Sequence, residues 1–165
     1  MKNIKASKLI LIFLFVVFWG LMIYSYFTLP DKVAIHFSSG GVPNGWAKRL
    51  IYVIFIGLLG TLTPLFVIWI FHITPNLPKR FINIPNKEDW LGPDQIQRTK
   101  SDLNVYGIWL AIILLLIFIF TEWQIINANK QSIVHTIPMY YIIVPLQLPI
   151  VWFIWKFIKR FTKNK

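Results

Sequence analysis

Four long apolar runs constrain the fold of this sequence more than any other feature. They cover residues 9–27, 50–73, 105–121 and 137–155, and none contains a lysine, arginine, aspartate or glutamate. At a rise of about 1.5 Å per residue, helices of these lengths cross or nearly cross a hydrocarbon core of roughly 30 Å. A soluble domain of 165 residues could not bury so much apolar surface, since 56% of the residues are hydrophobic and 14% are charged. We therefore predict an all-α integral membrane protein with four transmembrane helices, forming one domain over residues 1–165.

Basic residues are concentrated on one side of the predicted membrane. With alternating spans, thirteen lysines and arginines fall in the N-terminus, the loop 74–102 and the C-terminal tail, against four on the other side. The positive-inside rule then predicts a multi-pass protein whose two termini and loop 74–102 are cytoplasmic. The formal net charge of +11 is explained by this orientation and by contact with the lipid bilayer. We expect no nucleic-acid partner.

The segment 29–49, between the first two runs, has the pattern of a β-hairpin. Apolar residues alternate with other residues at Val33, Ile35 and Phe37, which is the period of a strand with one covered face. Asn44-Gly45 is a strong signal for a two-residue hairpin turn. We predict an outward-facing hairpin that turns at Asn44-Gly45. The alternative is an irregular loop in which Trp46 is an aromatic anchor at the membrane interface.

Two stretches of the chain resemble a family of bacterial membrane proteins. In the first, a Leu-Pro-acid start is followed by an apolar-x-His-aromatic step and by Gly-x-Pro-Asn-Gly-Trp; the matching residues are Leu29, Pro30, Asp31, His36, Phe37, Gly41, Pro43, Asn44, Gly45, Trp46 and Lys48. The second, Asn83-Ile84-Pro85-Asn86-Lys87 with Trp90-Leu91, resembles a motif that follows the second membrane helix in that family. The family is a domain of unknown function and forms the N-terminal module of SdpI-type bacteriocin-immunity proteins.

The resemblance implies a function and a set of residues. It implies protection against a membrane-active peptide toxin, or recognition of an envelope ligand, in a bacterial cell membrane. The implied ligand-binding residues are Asp31, His36, Asn44, Gly45 and Trp46. The implied structural residues are Pro30, Gly41 and Pro43 in the hairpin, and Asn83, Pro85, Asn86 and Trp90 in the inner loop. Two alternatives stay open: a small transporter component, and an accessory subunit whose partner is another membrane protein.

Patterns for catalysis are missing from the sequence, and those for metal binding are weak. There is no His-Glu-x-x-His run and no serine in a nucleophile elbow, so we predict neither an enzyme nor a cofactor. A second outer loop is predicted from Glu122 to Thr136. Its Glu122 and His135, together with His36, are the weak candidates for a His/His/carboxylate metal site. Histidines at a membrane surface are more often interfacial polar groups, and we expect no metal.

Overall fold

The protein is mostly helical, and three helices in the described part of the chain are long and apolar enough to cross a membrane. The structure is a computed structural model that describes residues 4–38, 40–130 and 140–162. For residues 140–146 it describes the backbone only. The membrane helices are α1 (Ile4–Thr28), α2 (Arg49–Ile73) and α4 (Ile96–Lys130). Between α2 and α4 lie two 3₁₀ turns, Thr74–Asn76 and Lys79–Phe81, and the short helix α3 (Lys87–Trp90). The last helix is α5 (Tyr140–Thr162).

The first three predicted spans are confirmed as helices of sufficient length and hydropathy. The fourth is not: α5 begins at Tyr140, and residues 137–139 of the predicted run lie outside the described part of the chain. A fourth membrane crossing therefore stays a prediction.

Helix α4 is longer than the apolar run that predicts it. It has 35 residues, about 52 Å at the standard rise, and it begins outside the run and continues through Glu122 to Lys130. The prediction that a loop begins at Glu122 is therefore wrong for residues 122–130. The polar residues in this stretch do not end the helix because several of them find partners on neighbouring elements.

The predicted hairpin is present between α1 and α2. Strands β1 (Lys32–Phe37) and β2 (Pro43–Lys48) pair in antiparallel fashion. The predicted turn at Asn44-Gly45 is wrong, because both residues lie in β2. The connection instead runs between Ser38 and Val42, where the Ser38 N–H donates to the Val42 carbonyl at 2.9 Å. Gly41 in this connection has a φ of 77°, a left-handed conformation that glycine adopts without steric cost.

Helices α1, α2 and α4 form a bundle with an apolar interior. Phe18 of α1 is completely buried against α4 and α2. It fits because α2 presents Gly60: a Cβ added there would lie 2.3 Å from the Phe18 ring. Small residues allow such close helix approach in membrane proteins. The bundle has two ends, which we call the hairpin end, where α1 stops and α2 begins, and the loop end, which carries residues 74–95.

Candidate functional site

Three residues on one face of α4 organise the hairpin end. Glu122, Ile126 and Asn129 are spaced i, i+4 and i+7, so they form a stripe along the helix. Glu122 bonds to α1 and α2, while Ile126 and Asn129 contact the hairpin. We call these three residues the α4 stripe. The sequence does indicate this stripe, because the helical spacing of the apolar run continues beyond the run through Glu122, Ile126 and Asn129.

The Glu122 carboxyl joins the three membrane helices. It is 1% exposed. One of its oxygens accepts a hydrogen bond from the Ser25 hydroxyl of α1, and the other accepts one from the Tyr52 hydroxyl of α2 at 2.5 Å. A buried polar group is tolerated only when its bonding capacity is met. Here a single side chain satisfies two buried hydroxyls and fixes three helices relative to one another.

Asn129 attaches the hairpin to α4. Its Oδ1 accepts from the Ala34 N–H at 2.8 Å, and its Nδ2 donates to the Ala34 carbonyl at 3.0 Å. The side-chain amide therefore pairs with β1 as another strand would, and it occupies part of that exposed edge. Val33, the neighbour of Ala34, is fully buried in a cluster with Ile126 and Tyr52. The hairpin is thus fixed on the bundle and is not a loose loop.

The predicted ligand residues fall into two groups on the hairpin. His36 Nδ1 is hydrogen-bonded to Asn44 Oδ1 across the strands, and Gly45 lies directly opposite His36. A Cβ at Gly45 would be 2.9 Å from the His36 Cβ, so glycine is required by this close approach and not by a turn. Asp31 and Trp46 lie apart from this group. Of the predicted hairpin prolines and glycine, Pro30 is exposed, while Gly41 and Pro43 are half-buried.

Asp31 and Trp46 line an open cleft between the hairpin and the ends of α1 and α2. The cleft has a volume of about 610 Å³, and we call it the interfacial cleft. Its lining residues are Tyr26, Asp31, Lys32, Trp46, Ala47, Lys48, Arg49 and Leu50. Arg49 pairs with Asp31 at 2.8 Å, donates to the Leu29 carbonyl at 2.7 Å, and stacks 5.5 Å from the Tyr26 ring. The Lys32 ammonium lies 5.1 Å from the Trp46 ring centre.

Two of the three weak metal candidates, His36 and Glu122, have separate hydrogen-bond partners in the structure. His36 is exposed and bonded to Asn44, whereas both oxygens of Glu122 are engaged between buried helices. His135 lies outside the described residues. Within residues 4–38, 40–130 and 140–162, no three histidines, cysteines or acids are grouped as metal ligands would be.

The second sequence motif lies at the loop end. The Trp90 Nε1–H donates to the Phe161 carbonyl at 3.0 Å, and the Asn86 amide donates to the same oxygen at 3.3 Å. Asn86 has a φ of 52°, which asparagine tolerates better than most residues. Asn83 is exposed and Pro85 is half-buried. Asn86 and Trp90 therefore hold the end of α5, as structural residues would.

A comparison with protein families bears on the hairpin end. Residues 6–61 match the family model DUF1648, a domain of unknown function. The match covers about a third of the chain and contains the first of the two stretches that carried the resemblance. No curated protein and no solved structure matches this chain. The link to SdpI-type immunity proteins stays a prediction.

The boundaries of the match divide the hairpin end into two parts. The matched residues supply α1, the hairpin and the first half of α2, including Ser25 and Tyr52. The α4 stripe that binds these elements lies outside the match. In this chain, the DUF1648-like segment is therefore completed by a helix from further along the sequence.

Proposed function

We propose that the hairpin end binds a membrane-active peptide or a similar apolar envelope ligand, and that binding protects the cell in the manner implied by SdpI-type proteins. The observation that carries this proposal is a fixed hairpin with exposed apolar side chains. Asn129 and Val33 hold the hairpin on the bundle, while Ile35, Val42 and Trp46 are 42%, 60% and 49% exposed. A preorganised apolar surface loses little conformational entropy when it binds.

The charges of the hairpin end indicate which net charge a bound peptide can carry. Lys32, Lys48 and Arg49 outnumber Asp31 in the interfacial cleft. A strongly cationic peptide would be repelled from this surface, because complementary charge steers association. We propose that the ligand is an apolar peptide. The end of the peptide that approaches the cleft is neutral or acidic. The role proposed is binding and not catalysis.

The proposal requires the hairpin to face outward. The chain has no cysteine, so single cysteines can report orientation without background. We expect Val42→Cys in the hairpin to react with a membrane-impermeant maleimide in intact cells, and Asp94→Cys at the loop end to react only after lysis. Labelling of Asp94→Cys in intact cells would overturn the orientation and, with it, this function.

The function itself is tested by survival. The full chain is expressed in a sensitive strain and challenged with peptides encoded beside its gene. We expect survival to rise with the parent chain and to fall back with His36→Ala and with Trp46→Ala, at equal amounts of inserted protein.

Trp123→Ala is the matched control for Trp46→Ala. Trp123 is 53% exposed on α4, next to Glu122, but it is not on the hairpin. It should retain protection. Equal loss in the two tryptophan variants would mean that aromatic anchoring in the interface, and not hairpin recognition, is responsible. No protection by the parent against any neighbouring peptide would contradict the proposal outright.

Transport is the second candidate function, and Glu122 is the observation that favours it. Acids inside a membrane helix bundle often carry protons or ions. Against this, the interior of α4 between Glu122 and Asp102, about 30 Å along the helix, is lined by buried apolar residues such as Ile112 and Leu115. Proton flux into vesicles containing the parent, absent with Glu122→Gln, would favour transport over recognition.

A further inference from the structure

We infer that the interfacial cleft is a discrete binding site for the phosphate group of an anionic phospholipid, in the leaflet at the hairpin end. The inference does not rest on the proposed peptide recognition, but both use the interfacial cleft, so an acidic peptide end would compete with the lipid for Lys32 and Lys48. The inference rests on the position of Lys32 and Lys48, on the position of the cleft at the ends of two helices of membrane-spanning length, and on the residues that surround it.

The first observation is a pair of like charges placed directly opposite each other. Lys32 and Lys48 are cross-strand partners in the hairpin. Like charges at such positions destabilise a hairpin, since directly opposed Cβ atoms are only about 5 Å apart. Asp31, the one carboxylate lining the cleft, is paired with Arg49. Within the described part of the chain, neither lysine has an acid within ion-pair distance. An anion between the two lysines would remove the repulsion.

The second observation is the level of the cleft in the membrane. Its residues lie at the end of α1 and at the start of α2. Each of these helices has 25 residues, about 37 Å, which exceeds a hydrocarbon core of roughly 30 Å. The helix ends, and the cleft between them, therefore lie at the level of the lipid headgroups. The anion available there in the highest concentration is a lipid phosphate.

The third observation is the surroundings of the cations. Tyr26, Trp46 and Leu50 give the cleft an apolar and aromatic wall, suited to the glycerol and upper acyl chain of a lipid and not to a free phosphate ion. The first turn of α2 contains no acid, and Lys48 before it makes no side-chain cap. The Arg49 N–H donates to the Asp31 carbonyl at 2.9 Å, and the positive end of the α2 helix dipole adds positive potential at the same place.

Lys130 provides the control that distinguishes binding at a discrete site from a general attraction of anionic lipid to basic residues. It is exposed at the hairpin end, as Lys32 and Lys48 are. It lies outside the cleft, where its ammonium donates to the Tyr24 hydroxyl and lies 4.6 Å from the centre of that ring. Replacing Lys130 by glutamine removes one positive charge from the same end of the bundle, as each of the two replacements in the cleft does, and leaves the site intact.

The test measures, by native mass spectrometry, the binding of dioctanoyl phosphatidylglycerol to the full chain in an uncharged maltoside detergent. We expect one molecule per chain to be retained, with dioctanoyl phosphatidylcholine retained more weakly. The double variant Lys32→Gln/Lys48→Gln should lower the affinity about tenfold or more, because each cation near a headgroup contributes a several-fold effect. Lys130→Gln should stay within about twofold of the parent.

A charge-reversal variant tests whether a loss of lipid binding is caused only by a loss of folding. Lys32→Glu converts the repulsive pair with Lys48 into an attractive one. Lys32→Gln is the reference, because it loses the same contact with the Trp46 ring. In lipid-free detergent, Lys32→Glu should unfold at the same temperature as Lys32→Gln or higher, and yet lose the preference for phosphatidylglycerol. Unfolding of Lys32→Glu at a clearly lower temperature than Lys32→Gln would show that the two lysines do not repel each other, and would contradict the inference.

Three further outcomes would overturn the site. The first is equal retention of the two lipids by the parent. The second is an equal loss of affinity in Lys130→Gln and in the double variant, which would indicate diffuse electrostatic attraction. The third is full displacement of phosphatidylglycerol by equimolar glycerol phosphate, which would show that the cleft binds a soluble phosphate and not a lipid.

Discussion

The hairpin end and the loop end are both anchored on α4, but by different kinds of contact. At the hairpin end, the side chains of Glu122 and Asn129 make buried or half-buried hydrogen bonds to α1, α2 and β1. At the loop end, aromatic rings pack edge to face around the end of α5, as Tyr106 does against Phe157 at 5.2 Å. Buried hydrogen bonds from Trp90 Nε1 and Thr99 Oγ1 to backbone carbonyls add to this packing. The ion pair of Arg160 with Asp102 lies beside these rings, only partly buried.

The difference indicates what each end depends on. Hydrogen bonds made inside a bundle are directional, and they leave unsatisfied partners when one member is removed. Aromatic packing depends on volume and tolerates the loss of a single polar atom. We therefore expect the deletion of a polar group to cost more at the hairpin end, where Glu122 accepts two buried hydrogen bonds, and the deletion of volume to cost more at the loop end. The hairpin end is also where the proposed function needs a fixed geometry.

The largest expected effect comes from Glu122→Ala. It leaves the hydroxyls of Ser25 and Tyr52 buried without their acceptor. We expect the free energy of unfolding in detergent to fall by about 2–4 kcal/mol. Glu88→Ala is the control at the loop end, because Glu88 forms an exposed pair with Lys79, worth about 0–1 kcal/mol. Similar losses in the two variants would contradict the proposed difference between the ends.

A smaller effect is expected from Asn129→Leu, which keeps the branched shape of the side chain and removes its two bonds to Ala34. We expect a loss of about 1–3 kcal/mol, together with faster amide hydrogen exchange in β1. Asn104→Leu at the other end loses only a bond to the exposed His72. Exchange in β1 should not respond to Asn104→Leu. Unchanged exchange in Asn129→Leu would mean that the hairpin is not held by α4.

The smallest of these effects concerns Gly45. Its close approach to His36 predicts that Gly45→Ala forces the strands apart, at about 1–2 kcal/mol. A Cβ at Gly40 meets no atom within 4 Å, so Gly40→Ala should be neutral or slightly stabilising. The two variants can be compared by thermal unfolding. A neutral Gly45→Ala would show that the register observed for the hairpin is incorrect.

The sequence predicts the parts of the fold that depend on composition and periodicity. The apolar runs predict α1, α2 and α4, and the alternation around Val33 predicts β1. The predicted position of the turn was wrong. Asn44-Gly45 has the residue types of a two-residue hairpin turn, but the cross-strand contact of Gly45 with His36 places Gly45 in β2.

The candidate site was only half predictable. The hairpin residues follow from their motif, and Asp31 and Trp46 do line the cleft. Glu122 was assigned to a loop because an acid normally ends an apolar span, and its partners Ser25 and Tyr52 lie far away in the sequence. Contacts of this kind depend on how helices pack, and no single segment encodes them.

The most direct test of the difference between the two ends is a matched pair of hydroxyl deletions. Tyr52 and Tyr106 are both buried tyrosines on membrane helices, and each donates one hydrogen bond. Tyr52 donates to the Glu122 carboxyl at 2.5 Å, whereas Tyr106 donates to the Lys156 carbonyl at 3.3 Å, within the aromatic cluster.

The measurement is the free energy of unfolding of Tyr52→Phe and Tyr106→Phe in the same detergent. We expect Tyr52→Phe to lose about 1 kcal/mol more than Tyr106→Phe, because it leaves a buried carboxyl oxygen without its donor. Equal losses, or a larger loss in Tyr106→Phe, would contradict the conclusion that the hairpin end depends more on buried polar bonds than the loop end does.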